Sequence, residues 1–191
     1  MRVVAGIAKG MRLKVPRGHT MRPTSDKVRE AIFDILGDAT EGARVLDLFA
    51  GTGALAIEAL SRGAEHATLI ERAARCISII RDNLAHTRFA DQATLIHGDV
   101  YPQVRKLDEA GERFGLVLAD PPYAGHGRER AGPAPAQKAL QLLGQAGIVP
   151  ENAVVVIEHA SGVALPAEAG RLRRSTTRRY GSTSVSIYRC T

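Results

Sequence analysis

Val45-Leu46-Asp47-Leu48-Phe49-Ala50-Gly51-Thr52-Gly53-Ala54-Leu55-Ala56-Ile57-Glu58-Ala59-Leu60 reads as a short apolar strand, a glycine-rich turn and a helix with apolar residues at helical spacing. Gly51 and Gly53 permit positive φ and let backbone N–H groups approach a ligand closely. With Ala56 they formally fit the G-x-G-x-x-G/A pattern, a weak signal alone. Glu71 closes the next apolar run, Ala67-Thr68-Leu69-Ile70, where an acid can accept from ribose hydroxyls. These residues point to a nucleoside-containing cofactor, and their spacing suits NAD as well as any other.

A second stretch is more selective. Asp120-Pro121-Pro122-Tyr123 directly follows the apolar run Phe114-Gly115-Leu116-Val117-Leu118-Ala119. The prolines neither continue a ladder nor enter a helix, so they hold a short stiff loop at a strand's carboxyl end. Ligands of α/β sheets sit at such edges. A carboxylate, a proline-held carbonyl and a ring together suit a flat group bearing an amine, such as a nucleobase. The plainer alternative is a Pro-Pro turn with Asp120 as a cap.

Asp47, two residues ahead of Phe49 in a D-x-F-x-G-x-G arrangement, resembles the first motif of class I S-adenosylmethionine-dependent methyltransferases. The Asp120-Pro121-Pro122-Tyr123 loop resembles the (N/D)PP(Y/F/W) motif of those that methylate exocyclic amines of adenine, cytosine or guanine. Three further stretches, Arg2-Val3-Val4-Ala5-Gly6, Gly10-Met11-Arg12-Leu13 and Arg22-Pro23-Thr24-Ser25-Asp26-Lys27-Val28-Arg29-Glu30, look like the opening of the bacterial 16S ribosomal RNA guanine-N2 methyltransferases, the RsmD-like family. Tyr180-Gly181-Ser182-Thr183 is similar to that family's final hairpin, so the resemblance spans the chain. It implies S-adenosylmethionine as cofactor and 16S rRNA as acceptor, within a 30S subunit or an assembly intermediate.

The resemblance also assigns roles. Asp120, Pro121, Pro122 and Tyr123 are the expected catalytic loop. Asp47 would bond the donor's amino-acid portion, Glu71 its ribose and Asp99 its adenine, although Asp99 equally suits an N-cap. Phe49, Gly51, Gly53, Arg72, Val100 and Thr24 complete the expected donor contacts. Arg22 has three possible roles: an RNA phosphate contact, the donor carboxylate, or a pairing with Asp26.

Composition narrows the classes. Hydrophobic content of 45% and charged content of 24% over 191 residues suit a globular chain with a sizeable core. No run reaches the roughly 18 apolar residues of a membrane span, and no signal-peptide block is visible at the start. Two cysteines, Cys76 and Cys190, make no disulfide framework, and the histidines show no metal spacing, so a reduced cytoplasmic protein without metal is expected; a monomer is the plainer expectation for its oligomeric state. The net charge of +6 is uneven: residues 1–29 carry eight basic side chains against Asp26, and residues 171–179 carry five arginines and no acid. The rest of the chain is therefore net acidic. Basic ends suggest polyanion binding, with Arg2, Lys9, Arg12, Arg22, Arg173, Arg174 and Arg178 as candidate RNA contacts. Aromatics at 4% argue against a stacking platform for many bases.

The pattern predicts short strands at 2–5 and 12–15, a helix over Asp26 to Leu36 with Val28, Ile32, Ile35 and Leu36 inward, then alternating strands and helices. Strands are expected near 44–48, 66–71, 93–97, 114–119 and 152–158, helices near 53–62, 72–86, 100–109 and 134–145, and a closing hairpin at 171–179 and 184–189. This is an α/β, Rossmann-like, mostly parallel sheet with an antiparallel C-terminal hairpin. Residues 1–40 read as a basic hairpin-and-helix extension and 41–191 as the methyltransferase domain. Rival readings are an NAD oxidoreductase, which has no use for the proline loop, a DNA or other RNA amino-methyltransferase (adenine N6 or cytosine N4), and a non-catalytic RNA-binding protein with this fold.

Overall fold

Strands apolar on both faces need helices above and below, and the chain supplies them. The computed structural model describes residues 1–16, 25–122 and 133–191. In chain order the elements are α1 (Asp26–Leu36), β1 (Arg44–Leu48), α2 (Ala54–Ser61), β2 (His66–Glu71), α3 (Ala74–Thr87), β3 (Ala93–His97), α4 (Val100–Glu109), β4 (Leu116–Ala119), α5 (Pro135–Gln145), β5 (Val154–Ala160), β6 (Glu168–Ala169), β7 (Leu172–Tyr180) and β8 (Thr183–Cys190). They build one eight-stranded sheet of order β3-β2-β1-β4-β5-β8-β7-β6. The first five strands are mutually parallel, and β8 enters antiparallel between β5 and β7.

Successive strand residues serve opposite faces. Val45, Leu118 and Val156 pack with Ile32, Ile57 and Ile80 of α1, α2 and α3, while Leu46, Val117 and Val155 pack with Val104 and Leu140 of α4 and α5. Each such buried aliphatic side chain contributes about 1.5–3 kcal/mol. Among the described residues no helix is long and apolar enough to cross a membrane.

Helix α1 starts where Ser25 Oγ accepts from Val28 N at 3.2 Å and stops at Gly37, whose φ is 51°. Its inward face differs from expectation: Phe33 is buried, and Ile35 is 42% exposed. The buried set Val28, Arg29, Ile32, Phe33 and Leu36 is one continuous helical stripe, and Ile35 lies off it.

The expected strands at 2–5 and 12–15 are reduced to one bridge, Arg2 to Arg12. The hairpin is real, since Val3 N donates to Met11 O and Gly10 N to Val3 O, both at 2.9 Å. A longer ladder does not form because side chains of the helices take its backbone groups. Val4 N and Ala5 N donate to the Glu58 carboxylate at 2.8 and 3.0 Å, and Lys14 N donates to Asn83 Oδ1 at 2.7 Å. Arg29 Nε, also fully buried, lies 3.4 Å from Glu58 Oε2. Breaking such a pair costs about 3–5 kcal/mol, so the hairpin, α1 and α2 are held as one unit.

Candidate active site

The strand order reverses direction between β1 and β4, and the crevice outside the carboxyl ends there is where α/β sheets take ligands. Leu48 and Ala119 are register partners at that point. Asp120 N reaches Leu48 O at 3.4 Å, so the acidic-proline corner starts directly beside the residues that open the glycine turn. Asp120 is half-buried, Pro121 buried and Pro122 exposed. Tyr123 lies outside the described residues, as do Arg22 and Thr24.

The turn after β1 is built from unusual backbone. Phe49, Gly51 and Gly53 have φ of 64°, 58° and 77°. Glycine accepts such angles freely, whereas an aromatic residue there stores about 1–3 kcal/mol, a cost concentrated at functional sites. Local bonds hold it: Ala50 N donates to Ile70 O at 3.1 Å and Gly53 N to Ala50 O at 2.7 Å. A Cβ at Gly53 would press within 3.3 Å of Leu69.

Glu71 ties this turn to the one after β2. Its Oε2 accepts from Gly51 N at 2.8 Å and its Oε1 from Ala73 N at 2.7 Å. A carboxylate has about four acceptor positions, so capacity remains for two hydroxyls. Asp47 works beneath the turn: it is buried, and its Oδ2 accepts from Ala56 N at 3.1 Å in the first turn of α2. Burial pushes the Asp47 carboxyl up to about 7, against the pull of the Ala56 amide and helped by the nearby Glu71 charge.

Asp99 caps α4, its Oδ1 accepting from Tyr101 N at 3.0 Å, and it stays exposed at the same sheet edge. Val100 is buried behind it, and Arg72 is exposed. The Tyr101 ring meets Phe49 edge-on with centroids 6.5 Å apart, joining the turns after β1 and β3. A strained glycine turn, a carboxylate with spare acceptor capacity and an exposed acid lie side by side at the ends of β1, β2 and β3. That donor set fits a nucleoside with ribose hydroxyls and an amine-bearing base.

His159 went unnoticed in the sequence, where a histidine on an apolar strand carries no signal. It is buried at the end of β5 and, with Pro121, Pro122, Pro135 and Val163, borders a small cleft of about 20 Å³. Its Nδ1 lies 3.1 Å from Ala160 O and its Nε2 2.9 Å from Ser186 Oγ. A carbonyl only accepts, so Nδ1 carries the hydrogen and Nε2 accepts from the serine. Burial holds its pKa below the ordinary histidine value, which keeps the ring neutral.

The basic ends do not merge. The N-terminal hairpin rests on α2 and α3, and β7 lies four strands from β1, roughly 19 Å away at strand spacing. Tyr180 and Ala160 both face Thr183, so β7 runs parallel to β5 and brings Arg178 to the crevice edge. Arg173 and Arg174 lie toward the opposite edge; Arg173 pairs with Glu168, and Arg174 Nη1 donates to Leu165 O at 2.7 Å. Arg2 is 3.6 Å from Asp26, Lys9 is exposed, and Arg12 lines a groove against α3.

Known proteins share this plan. A Bacillus subtilis protein, YlbH, named provisionally as an rRNA methyltransferase, is 36% identical over 189 residues, covering 99% of this chain and 98% of its own. The ribosomal RNA small subunit methyltransferase D of Escherichia coli K12 is 34% identical over 166 residues, 87% of this chain and 78% of that one. The solved structure of a hypothetical protein from Thermus thermophilus superposes with a TM-score of 0.81 at 28% identity, covering 98% of each chain. The family profile described as "Conserved hypothetical protein 95" matches residues 1–189. The chain belongs to that family, the RsmD-like class I methyltransferases.

Proposed function

We propose that the protein transfers a methyl group from S-adenosylmethionine to the exocyclic N2 amine of a guanine in small-subunit ribosomal RNA. The observation that carries this reading is the juxtaposition of the Asp120-Pro121 corner with the glycine turn across the β1–β4 register. Family membership supports the methyl donor and the small-subunit RNA; the (N/D)PP(Y/F/W) resemblance supports an exocyclic amine.

When bound, S-adenosylmethionine supplies an electrophilic methyl carbon on a sulfonium. Glu71 would hold its ribose and Asp99 its adenine amine, with Asp47 and Phe49 fixing the shape of the turn. Guanine N2 is a poor nucleophile because its lone pair is delocalised into the ring. The Asp120 carboxylate and the Pro121 carbonyl, each accepting one N–H, would turn that lone pair out of conjugation and toward the donor. Asp120 also stabilises the positive charge that develops on nitrogen. The N2 proton becomes acidic as the new bond forms, so Asp120 need only be an ordinary carboxylate to receive it. Tyr123 is the expected stacking surface for the base. The enzyme acts as a cytoplasmic monomer, on 16S rRNA within a 30S particle or its precursor.

Transfer of tritium from labelled donor to small-subunit RNA, naked and protein-bound, followed by nucleoside analysis, tests the assignment. N2-methylguanosine is the expected product. N6-methyladenosine or N4-methylcytidine would move the acceptor to another base, and no transfer at all would leave a binding protein with an enzyme's fold.

A further inference from the structure

One buried amide touches both the donor turn and the N-terminal basic segment. Asn83, on the inner face of α3, is 1% exposed. Its Nδ2 donates to Thr52 O at 2.9 Å and to Lys14 O at 3.1 Å, while its Oδ1 accepts from Lys14 N at 2.7 Å. Both amide hydrogens and the oxygen are engaged, so only one orientation of the group satisfies its partners. Thr52 stands between Gly51 and Gly53 at the centre of the donor turn.

Lys14 faces outward on its other side. Its ammonium is 2.9 Å from Asp82 at the surface, in an open groove of about 360 Å³ lined by Arg12, Lys14, Asp82, Asn83, Ala85 and His86. Exposed pairs of this kind hold weakly, so a phosphate can draw Lys14 from Asp82. Arg12 and Lys14 form a short cationic pair of the kind that grips a phosphodiester backbone.

We propose, on the basis of the methyl-transfer reading above, that this groove takes a phosphate segment of the acceptor RNA. Asn83 is the positioning residue that links its occupancy to the donor turn. A phosphate that fixes Lys14 fixes the backbone that Asn83 grips, and through the amide it fixes Thr52 O. By linkage the effect is reciprocal: RNA tightens donor binding by the factor that donor tightens RNA binding. An enzyme built this way loads both substrates in preference to either alone.

Calorimetric titration with S-adenosylhomocysteine, without and with saturating in vitro-transcribed small-subunit RNA, reads the linkage. In the wild type the affinity is expected to rise about fivefold or more with RNA. In Asn83→Ala the rise should fall below about twofold. Ser61→Ala loosens the same hairpin, since Ser61 Oγ holds Ala5 O and Ala8 N, yet does not touch the turn; it should keep the rise. A merely structural Asn83 would lower stability without changing the ratio of the two affinities. A rise of the same size in Asn83→Ala overturns the proposal, as does a wild-type donor affinity indifferent to RNA, which decides the matter even if the variant does not fold. Wild-type protein that binds neither S-adenosylhomocysteine nor RNA would instead overturn the functional reading.

Discussion

The glycine turn after β1 and the proline corner after β4 end neighbouring parallel strands, yet they are held by opposite means. The turn has backbone freedom and loses it to hydrogen bonds: Glu71 on Gly51, Asp47 on Ala56, Asn83 on Thr52. The corner has little freedom to lose, because two prolines set their own φ, and the Asp120 amide reaches across to β1. A donor that must enter and leave suits a cradle assembled from exchangeable bonds. An acceptor amine that must be oriented within a fraction of an ångström suits a covalently stiff loop. Mutations should therefore separate cleanly: side chains under the turn govern donor affinity and stability, and the corner governs turnover.

The largest separation is expected at Asp120. Asp120→Ala should lower kcat by about 10²–10³ while S-adenosylhomocysteine affinity stays within about twofold. Lost donor binding with unchanged turnover would reverse the roles of the two loops. Next comes Glu71. Glu71→Ala should weaken S-adenosylhomocysteine binding by about 10- to 100-fold, since it removes charge-assisted acceptors for the ribose and for two backbone amides. Glu71→Gln should recover little of this, because an NH2 group would then face an N–H donor on Gly51 or Ala73.

Asp47 gives a smaller effect with a defined pH dependence. Its carboxyl titrates near 7 when folded, well above its ordinary value of 3.8. Between those values the native state binds the extra proton, so this group's contribution to stability falls as pH rises from about 4 to 7 and is flat outside that window. Asp47→Asn keeps an oxygen for Ala56 N and removes the buried charge. Denaturant titrations should show the variant gaining on the wild type through that window, by about 2 kcal/mol at pH 8 after the cost of burying amide hydrogens. A wild-type advantage that grows with pH would mean that the charged carboxylate is itself stabilising. The smallest effect concerns the arginines on the corner's side of the sheet. Arg178→Ala should weaken RNA binding about three- to tenfold and lower the salt slope by about one, whereas Arg173→Ala, toward the far edge and paired with Glu168, should change it less than about twofold.

The sheet strands and their helices were legible because their apolar residues serve two covered faces, so β1 and β2 fall on the expected residues and β4 within two of them. The hairpin was legible only in outline. Its partners, Glu58 and Asn83, lie more than fifty residues away, and no local pattern announces that a side chain will replace a ladder. Ile35 and Phe33 exchanged places because a helix of eleven residues tolerates two neighbouring apolar stripes, and only packing chooses between them. The residues proposed to hold the donor were picked out by motif spacing. His159 and Asn83 were not, being single polar residues whose meaning comes entirely from what they touch.

Local chemistry alone settled that a glycine turn and a proline corner each end a buried strand, since φ preferences and missing N–H groups act within a few residues. It also settled that the chain's ends are basic. That the two loops are neighbours, that Arg178 reaches the crevice while Arg173 and Arg174 lie toward the opposite edge, and that one amide joins the N-terminal segment to the glycine turn were decided by strand order, register and the packing of α3. Those are properties of distant pairings, whose free energy depends on which surfaces meet and is written in no single stretch of sequence.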